Sequence, residues 1–289
     1  MKLKTLTPSW VRGVIPKRPS SSQKGKNGHV LLVAGSRGMT GAAILSGLGA
    51  LRVGAGLLTV GIVEKERPIV AERLPETMTL ALPQTRQGAL AAGAWPVLSQ
   101  FLKKRPITTV AVGPGLSQNG AVRHVALSIL TKCHMPIVLD ADGLNVLKPK
   151  DIPRSARLII TPHPGEMARF LGLAGKIDDN DRVSVTRKTA RSLGIVCVLK
   201  GHKTVISDGR RTMINHTGNS AMSTGGMGDV LTGIIAGLLA QGLNLFDAAC
   251  AGVYLHGLAG DLARVSDRGL LASELAGAIP KALKKIGVK

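Results

Sequence analysis

The stretch STGGMGDVLTGIIAGLL, Ser223 to Leu239, sets four glycines (Gly225, Gly226, Gly228 and Gly233) around one carboxylate, Asp229. An apolar run that reads as helix follows. A glycine-rich turn opening a helix binds anions, because free backbone N–H groups and the positive end of the helix dipole point out of it. A carboxylate in that mouth repels an anion, so its presence needs a reason. One reason is chemical. A base there can take the proton of a hydroxyl, and the resulting oxygen can attack a phosphoryl group held by the amides. The pattern points to phosphoryl transfer to an alcohol without a P-loop. The bland alternative is that Asp229 is an N-cap, the commonest role of Asp at a helix start. Against it, Ser223 and Thr224 could serve as caps, and the glycines are denser than a cap requires.

Other polar and glycine-rich motifs stand where strands end. GSRGMTGAA (35–43) lacks the Lys-Ser/Thr of a Walker A loop and the GxGxxG spacing of a dinucleotide fold. It reads either as a tight strand-to-helix turn or as backbone contact with a ligand, with small Ala42 permitting close approach. In GPGL (113–116), Gly115 suits a turn with positive φ. DADGLN (140–145) offers two acids, and Asp142 could be a ligand group or the N-cap of a short helix. In TPHPGE (161–166) the flanking prolines hold His163 in an extended turn, which favours a ligand-facing ring. Glu166 starts the next helix, where a negative charge is favourable without any function. KGHKT (200–204) places Lys200 and Lys203 where they could meet phosphates or line a solvated β-turn.

The elements that must position these motifs are legible as an alternation. Strands are expected at 29–35, 57–63, 108–115, 136–142, 157–164 and 195–201, and a hairpin over 203–215 turns at Asp208-Gly209. Helices are expected at 40–53, with Thr40 as N-cap, and near 88–103, 119–132, 165–172 and 180–193. Three more end the chain, near 228–241, 246–261 and 270–285. Near-continuous apolar strands alternating with helices mean a mostly parallel sheet covered on both faces. The expectation is one α/β domain over 1–289, with 1–27 as a basic N-terminal extension. In such sheets a ligand lies beyond the carboxyl ends of the strands, so one shared crevice is expected.

Composition narrows the class. The chain has 289 residues, 44% hydrophobic and only 2% aromatic, so its core is aliphatic. Three scattered cysteines among apolar residues fit a reduced, cytoplasmic protein, and no Cys/His spacing suggests a metal site. The formal net charge is +21, and nine Lys/Arg precede the first acid, Glu64. Charge alone would permit a nucleic-acid-binding protein, but stacking aromatics are nearly absent and no compact Arg/Lys motif appears, so no nucleic-acid partner is expected. The N-terminus has no apolar signal region, and the glycine-rich stretch 41–63 breaks into helix then strand, so no membrane partner is expected either.

Seven motifs taken in order resemble the ribokinase-like superfamily and, within it, the bacterial NAD(P)H-hydrate dehydratases. They are GHVLLVAGSRGMTGAA, ALRVGAGLLTV, VGPGL, VLDADGLN, TPHPGEMARF, LKGHKT and NSAMSTGGMGDVLTG, and the resemblance covers about residues 25–285. It implies a ribokinase-like three-layer α/β/α sandwich and a repair lyase acting on (6S)-NADHX or NADPHX. ADP or ATP would be co-substrate, with Mg²⁺ bridging phosphates but no protein metal ligand assigned. It further implies Asp229 as base, with Ala42, Gly115, His163 and Asp229 at the hydrate. Lys200, Gly201, His202, Lys203, Thr204 and Gly228 would lie at the nucleotide. The 28 residues before His29 cannot hold the epimerase domain fused in some relatives, so a separate epimerase is expected. Superfamily relatives often oligomerise, and a homo-oligomer is expected. The alternative is a kinase of a small alcohol, such as a thiazole or pyrimidine vitamin precursor, which the Gly-rich turn and Asp229 cannot exclude.

Overall fold

Short runs of β-branched and leucine residues form the buried strands of a single sheet in the computed structural model, which describes residues 3–175 and 177–288. The strands are β1 (Lys4–Thr5), β2 (His29–Val33), β3 (Leu57–Val63), β4 (Met78–Leu82) and β5 (Thr109–Val112). They continue as β6 (Ile137–Leu139), β7 (Leu158–Ile160), β8 (Val196–Leu199), β9 (Val205–Ser207) and β10 (Thr212–Ile214). Their spatial order is β1-β10-β9-β8-β7-β6-β5-β2-β3-β4. Every neighbouring pair is parallel except β8–β9 and β9–β10. Strands β2, β5, β6, β7 and β8 are buried along their whole length, as a parallel sheet covered on both faces requires.

Two helical layers supply that cover. Helices Thr40–Arg52, Met227–Ala240, Leu245–Ala263 and Ala272–Lys285 pack on one another, and Ala94–Lys104, Gly120–Lys132, Ala141–Asn145 and Pro164–Leu171 form a second contiguous set. The expected helices are all present. Thr40 is not a cap: it is the first residue of its helix, Met39 holds the N-cap position, and no side chain caps it. The Asp208 turn is as expected, with its Oδ1 accepting from the amides of Arg210 and Arg211. The 3–27 region joins the fold: β1 pairs with β10, Val11 is fully buried, and Arg18 donates to Gly54 O and Gln241 Oε1.

Helices Thr40–Arg52 and Met227–Ala240 cross backbone against backbone. A Cβ on Gly233 would lie 1.9 Å from Ser46 O, and one on Gly49 would lie 2.3 Å from Val230 O. Gly233 therefore serves packing rather than the anion hole. Gly233→Ala is expected to cost about 2–4 kcal/mol, since neither backbone can yield cheaply. Gly277→Ala, on an exposed helix face with nothing within 4 Å of its Cβ, should gain about 0.5–1 kcal/mol. Urea melts of both variants check the contrast.

Candidate active site

The sheet changes direction at β2. The chain runs outward from β2 to β3 and β4, then returns to place β5 on the other side of β2. Loops leaving β2 and β5 diverge there, and ligands lodge at such switch points. Here the two loops are tied together. Gly35 N donates to Pro114 O (2.8 Å), and Ser36 Oγ donates to Gly115 O (2.8 Å). Gly115 has φ +63°, and a Cβ on it would lie 3.0 Å from Ala42 Cβ, so the two expected hydrate contacts touch. Asp142 caps no helix; Asp140 holds the N-cap position. Asp142 instead accepts from Ser117 N (2.9 Å) and Gln118 Nε2 (3.1 Å), fixing the loop after β5.

The Met227–Ala240 helix opens on the same side. Its N-cap is Gly226, with φ +89°, and Asp229 is its third residue. Asp229 is therefore not a cap, and neither Ser223 nor Thr224 caps this helix; Thr224 Oγ1 donates to Leu270 O. Among the described residues, the amides of Gly225 through Asp229 donate to no protein acceptor. Five successive free N–H groups at a helix start form a cradle for an anion. His256 Nε2 donates to Met227 O (2.9 Å) and braces the first turn. Burial lowers the His256 pKa to about 4, so the ring is neutral at pH 7.

Beside the cradle stands a charged chain that the sequence did not announce. Lys200 Nζ pairs with Asp140 Oδ1 at 2.8 Å and with Glu166 Oε2 at 3.7 Å. Thr232 Oγ1 donates to Asp140 Oδ2 at 2.7 Å. A Cβ on Gly228 would lie 3.3 Å from Lys200 Nζ, so the ammonium stands over the cradle. Burial lowers the Lys200 pKa, but Asp140 and Glu166 outweigh it and hold it above its ordinary value. Burial and the charge of Asp140 raise Asp229 to about 7, against the opposing pull of Lys200.

His163 has a structural duty as well as an exposed ring. Its Nδ1 accepts from the amides of Gly165 (3.0 Å) and Glu166 (3.2 Å), while Glu166 Oε2 accepts from His163 N (2.8 Å). With Nδ1 accepting, Nε2 carries the ring N–H, 3.7 Å from Glu166 Oε1, on a half-exposed side chain. Beyond Lys200, Gly201, His202 and Lys203 are exposed and Thr204 is half-buried. The buried Arg182 guanidinium holds this loop through the carbonyls of Leu199, Lys200 and His202. Among the described residues, the non-glycine positions with left-handed φ are Ser117 (67°), Ala141 (46°) and Lys203 (55°). Ser117 and Lys203 lie in these loops and Ala141 opens the Ala141–Asn145 helix beside them, as strain at a functional crevice often does.

Among the described residues, no three His, Cys, Asp or Glu side chains converge to hold a metal ion. Both Asp140 oxygens are engaged, and Glu166 Oε2 is bound to His163 N. This donor set suits Mg²⁺ bound through phosphate oxygens and water rather than a protein cage. No helix among the described residues is long and apolar enough to cross a membrane.

A family model for NAD(P)H-hydrate dehydratase matches residues 30–281. The chain belongs to the NAD(P)H-hydrate dehydratase family. It is 37% identical over 283 residues to the ADP-dependent (S)-NAD(P)H-hydrate dehydratase of Bacillus subtilis, covering 96% of this chain and 97% of that one. The Bacillus subtilis enzyme co-crystallised with ATP/Mg²⁺ matches with a TM-score of 0.86 and 34% identity over 99% of each chain. A ribokinase-like superfamily protein of Enterococcus faecalis matches with a TM-score of 0.84 and 27% identity, over 99% of this chain and 97% of that one. The fold is thus the ribokinase-like α/β/α sandwich. The bifunctional NAD(P)H-hydrate repair enzyme of Moorella thermoacetica is 42% identical over 288 residues, 97% of this chain. That match takes in 54% of the Moorella protein, so the chain spans about half the length of that relative.

In this NAD(P)H-hydrate dehydratase family member, sequence reasoning missed Thr232, Arg182 and His256, offered Asp140 only as one of two acids after β6, and gave Glu166 only a helix-start role. Asp140 alone left a signal, as an acid ending the apolar run of β6. The raised Asp229 pKa also bears on stability. The native state holds a proton that the unfolded chain has released, so stability falls as pH rises from about 4 to about 7 and stays reduced above. Asp229→Asn cannot ionise. It should melt higher than the parent at pH 8, by roughly 2–4 °C for each kcal/mol relieved, with the gain vanishing near pH 4. Calorimetry at the two pH values checks this.

Proposed function

We propose that this chain dehydrates the 6S hydrate of NADH or NADPH back to the dihydronicotinamide, with ADP or ATP as phosphoryl donor. The observation that carries the reading is the run of free amides from Gly225 to Asp229, with a half-buried carboxylate inside it and Lys200 over it. Family membership over nearly the full length of the Bacillus subtilis enzyme supports the choice of substrate.

The hydrate lies in the switch-point crevice against Ala42 and Gly115, with the half-exposed His163 ring as a further contact. Asp229 takes the proton of the 6-hydroxyl. That oxygen bonds to the terminal phosphorus, and the bond from phosphorus to the bridging oxygen breaks, leaving AMP from ADP or ADP from ATP. The amides around Gly228 and the Lys200 ammonium stabilise charge on the transferring group. The Lys200–Thr204 loop, with its backbone fixed by Arg182, receives the nucleotide. Mg²⁺, where bound, would be held by phosphate oxygens and water and would offset their charge. Phosphate then leaves C6 with its bonding electrons, the ring nitrogen donates in their place, and C5 loses a proton. The net products are the dihydronicotinamide, inorganic phosphate and the shortened nucleotide.

With a base of pKa about 7, kcat/KM should rise through neutral pH to a plateau. Asp229→Asn should lower kcat by about 10²–10⁴-fold while leaving nucleotide binding largely intact. The assay is recovery of dihydronicotinamide absorbance from the hydrate with ADP and with ATP, beside phosphorylation of a thiazole alcohol. Phosphorylation of the alcohol with an untouched hydrate would sink the proposal. Near-normal turnover by Asp229→Asn would remove Asp229 as the base.

A further inference from the structure

No step of the reaction has been assigned to Asp140, yet its burial demands an explanation. It is 1% exposed, and a buried carboxylate is costly unless paired. Its pairing is complete, with Lys200 Nζ on Oδ1 and Thr232 Oγ1 on Oδ2. Such a pair is weak support for stability, because desolvation offsets much of the attraction and an apolar pair often serves as well. The arrangement is better explained by what the pair holds in place.

Thr232 follows Asp229 by three positions on the same helix, so the two share a face. The helix that carries the carboxylate of the cradle thus also anchors Asp140. Lys200 makes ion pairs within 4 Å to Asp140 and Glu166; Asp229 is not among its partners in the described residues. Without Asp140, the remaining acids around the ammonium are Glu166 and Asp229.

We infer that Asp140 is a positioning residue: its carboxylate keeps the Lys200 ammonium over the amide cradle, where the transferred phosphoryl group lies, and prevents it from pairing with Asp229. The inference rests on the proposed function. An ammonium released onto Asp229 would stabilise the ionised carboxylate, weaken it as a base and desert the phosphoryl oxygens. The groups facing Asp229 are Asp140 and Asp142 after β6, Glu166 on the Pro164–Leu171 helix, and Lys200 after β8. His256, from the Leu245–Ala263 helix, stands against Met227 and stays neutral.

The test follows the Asp229 carboxyl directly. Protein labelled with carbon-13 at aspartate carboxyls is titrated by NMR without ligand, the Asp229 signal being assigned by its loss in Asp229→Asn. The pH profile of kcat/KM is measured on the same variants. Asp140→Asn should move the Asp229 midpoint down by about one pH unit, and Lys200→Met should move it up by about as much. The acidic limb of kcat/KM should follow each. Loss of the Asp140 charge by itself also lowers the midpoint, so the deciding comparison is Asp140→Asn in the Lys200→Met background: a much smaller drop there than in the parent supports the inference, and a drop as large as in the parent overturns it. Should Asp140→Asn not fold, an unmoved midpoint in folded Lys200→Met overturns it equally. If the midpoints move in opposite directions while the parent protein turns over no hydrate, the electrostatic arrangement stands and the proposed function fails.

Discussion

The crevice depends on the near contact between two helical backbones at Gly233 and Ser46. The helices run side by side in the same sense there, since Ser46 and Ala50 face Gly233 while Ala50 and Val53 face Gly237. One turn towards the N-terminus from that contact lie Ala42 on one helix and Asp229 on the other. A side chain at 233 would push the helices apart and separate these two residues with them. Close packing thus sets the geometry in which a ligand held against Ala42 can reach Asp229. Gly233 belongs to the glycine-rich run that first drew notice, yet its part is mechanical.

The second constraint is electrostatic. Asp140, Glu166 and Asp229 surround one part-buried ammonium, Lys200, in a protein whose formal net charge is +21. The two scales serve different ends. The overall positive field acts at long range, favouring approach of polyanions such as nucleotides until salt screens it beyond about 8 Å. Inside the crevice, local carboxylates raise the pKa of Asp229, which an excess of nearby cations would lower. On the proposed route the phosphoryl group meets neutral donors, the free amides of Gly225–Asp229, beside the single Lys200 ammonium.

The central strands and the later helices were legible in the sequence because burial on both faces demands unbroken apolar runs. Edge elements were less visible: β1 has two residues, and β4 carries exposed Met78 at its start. In the site, the glycines and Asp229 announced themselves by density. Asp140 and Asp142 did not separate, because two acids at a strand end look alike until the loop after β5 claims one and Lys200 the other. Glu166 reads in the sequence as ordinary helix-start chemistry. That reading describes its bond to His163 N, but contact with Lys200 joins residues 34 apart and leaves no local pattern. The same holds for Arg182, whose burial follows only from the loop it grips.

On the proposed route, the raised pKa of Asp229 bears on the second half of the reaction as much as the first. Once the hydroxyl proton has moved, Asp229 is a neutral acid beside a phosphorylated substrate. A carboxylic acid of ordinary pKa would lose that proton at once at neutral pH and place a second anion against the phosphate. At a pKa of about 7, and higher with a phosphate nearby, the proton can stay while phosphate leaves C6. The amides that receive the phosphoryl group would also receive the departing phosphate. Proton release then follows loss of phosphate, when the anion that raised the pKa of the carboxyl is gone. In this way one carboxylate whose charge the protein has made expensive can accept a proton for phosphoryl transfer and keep it through elimination.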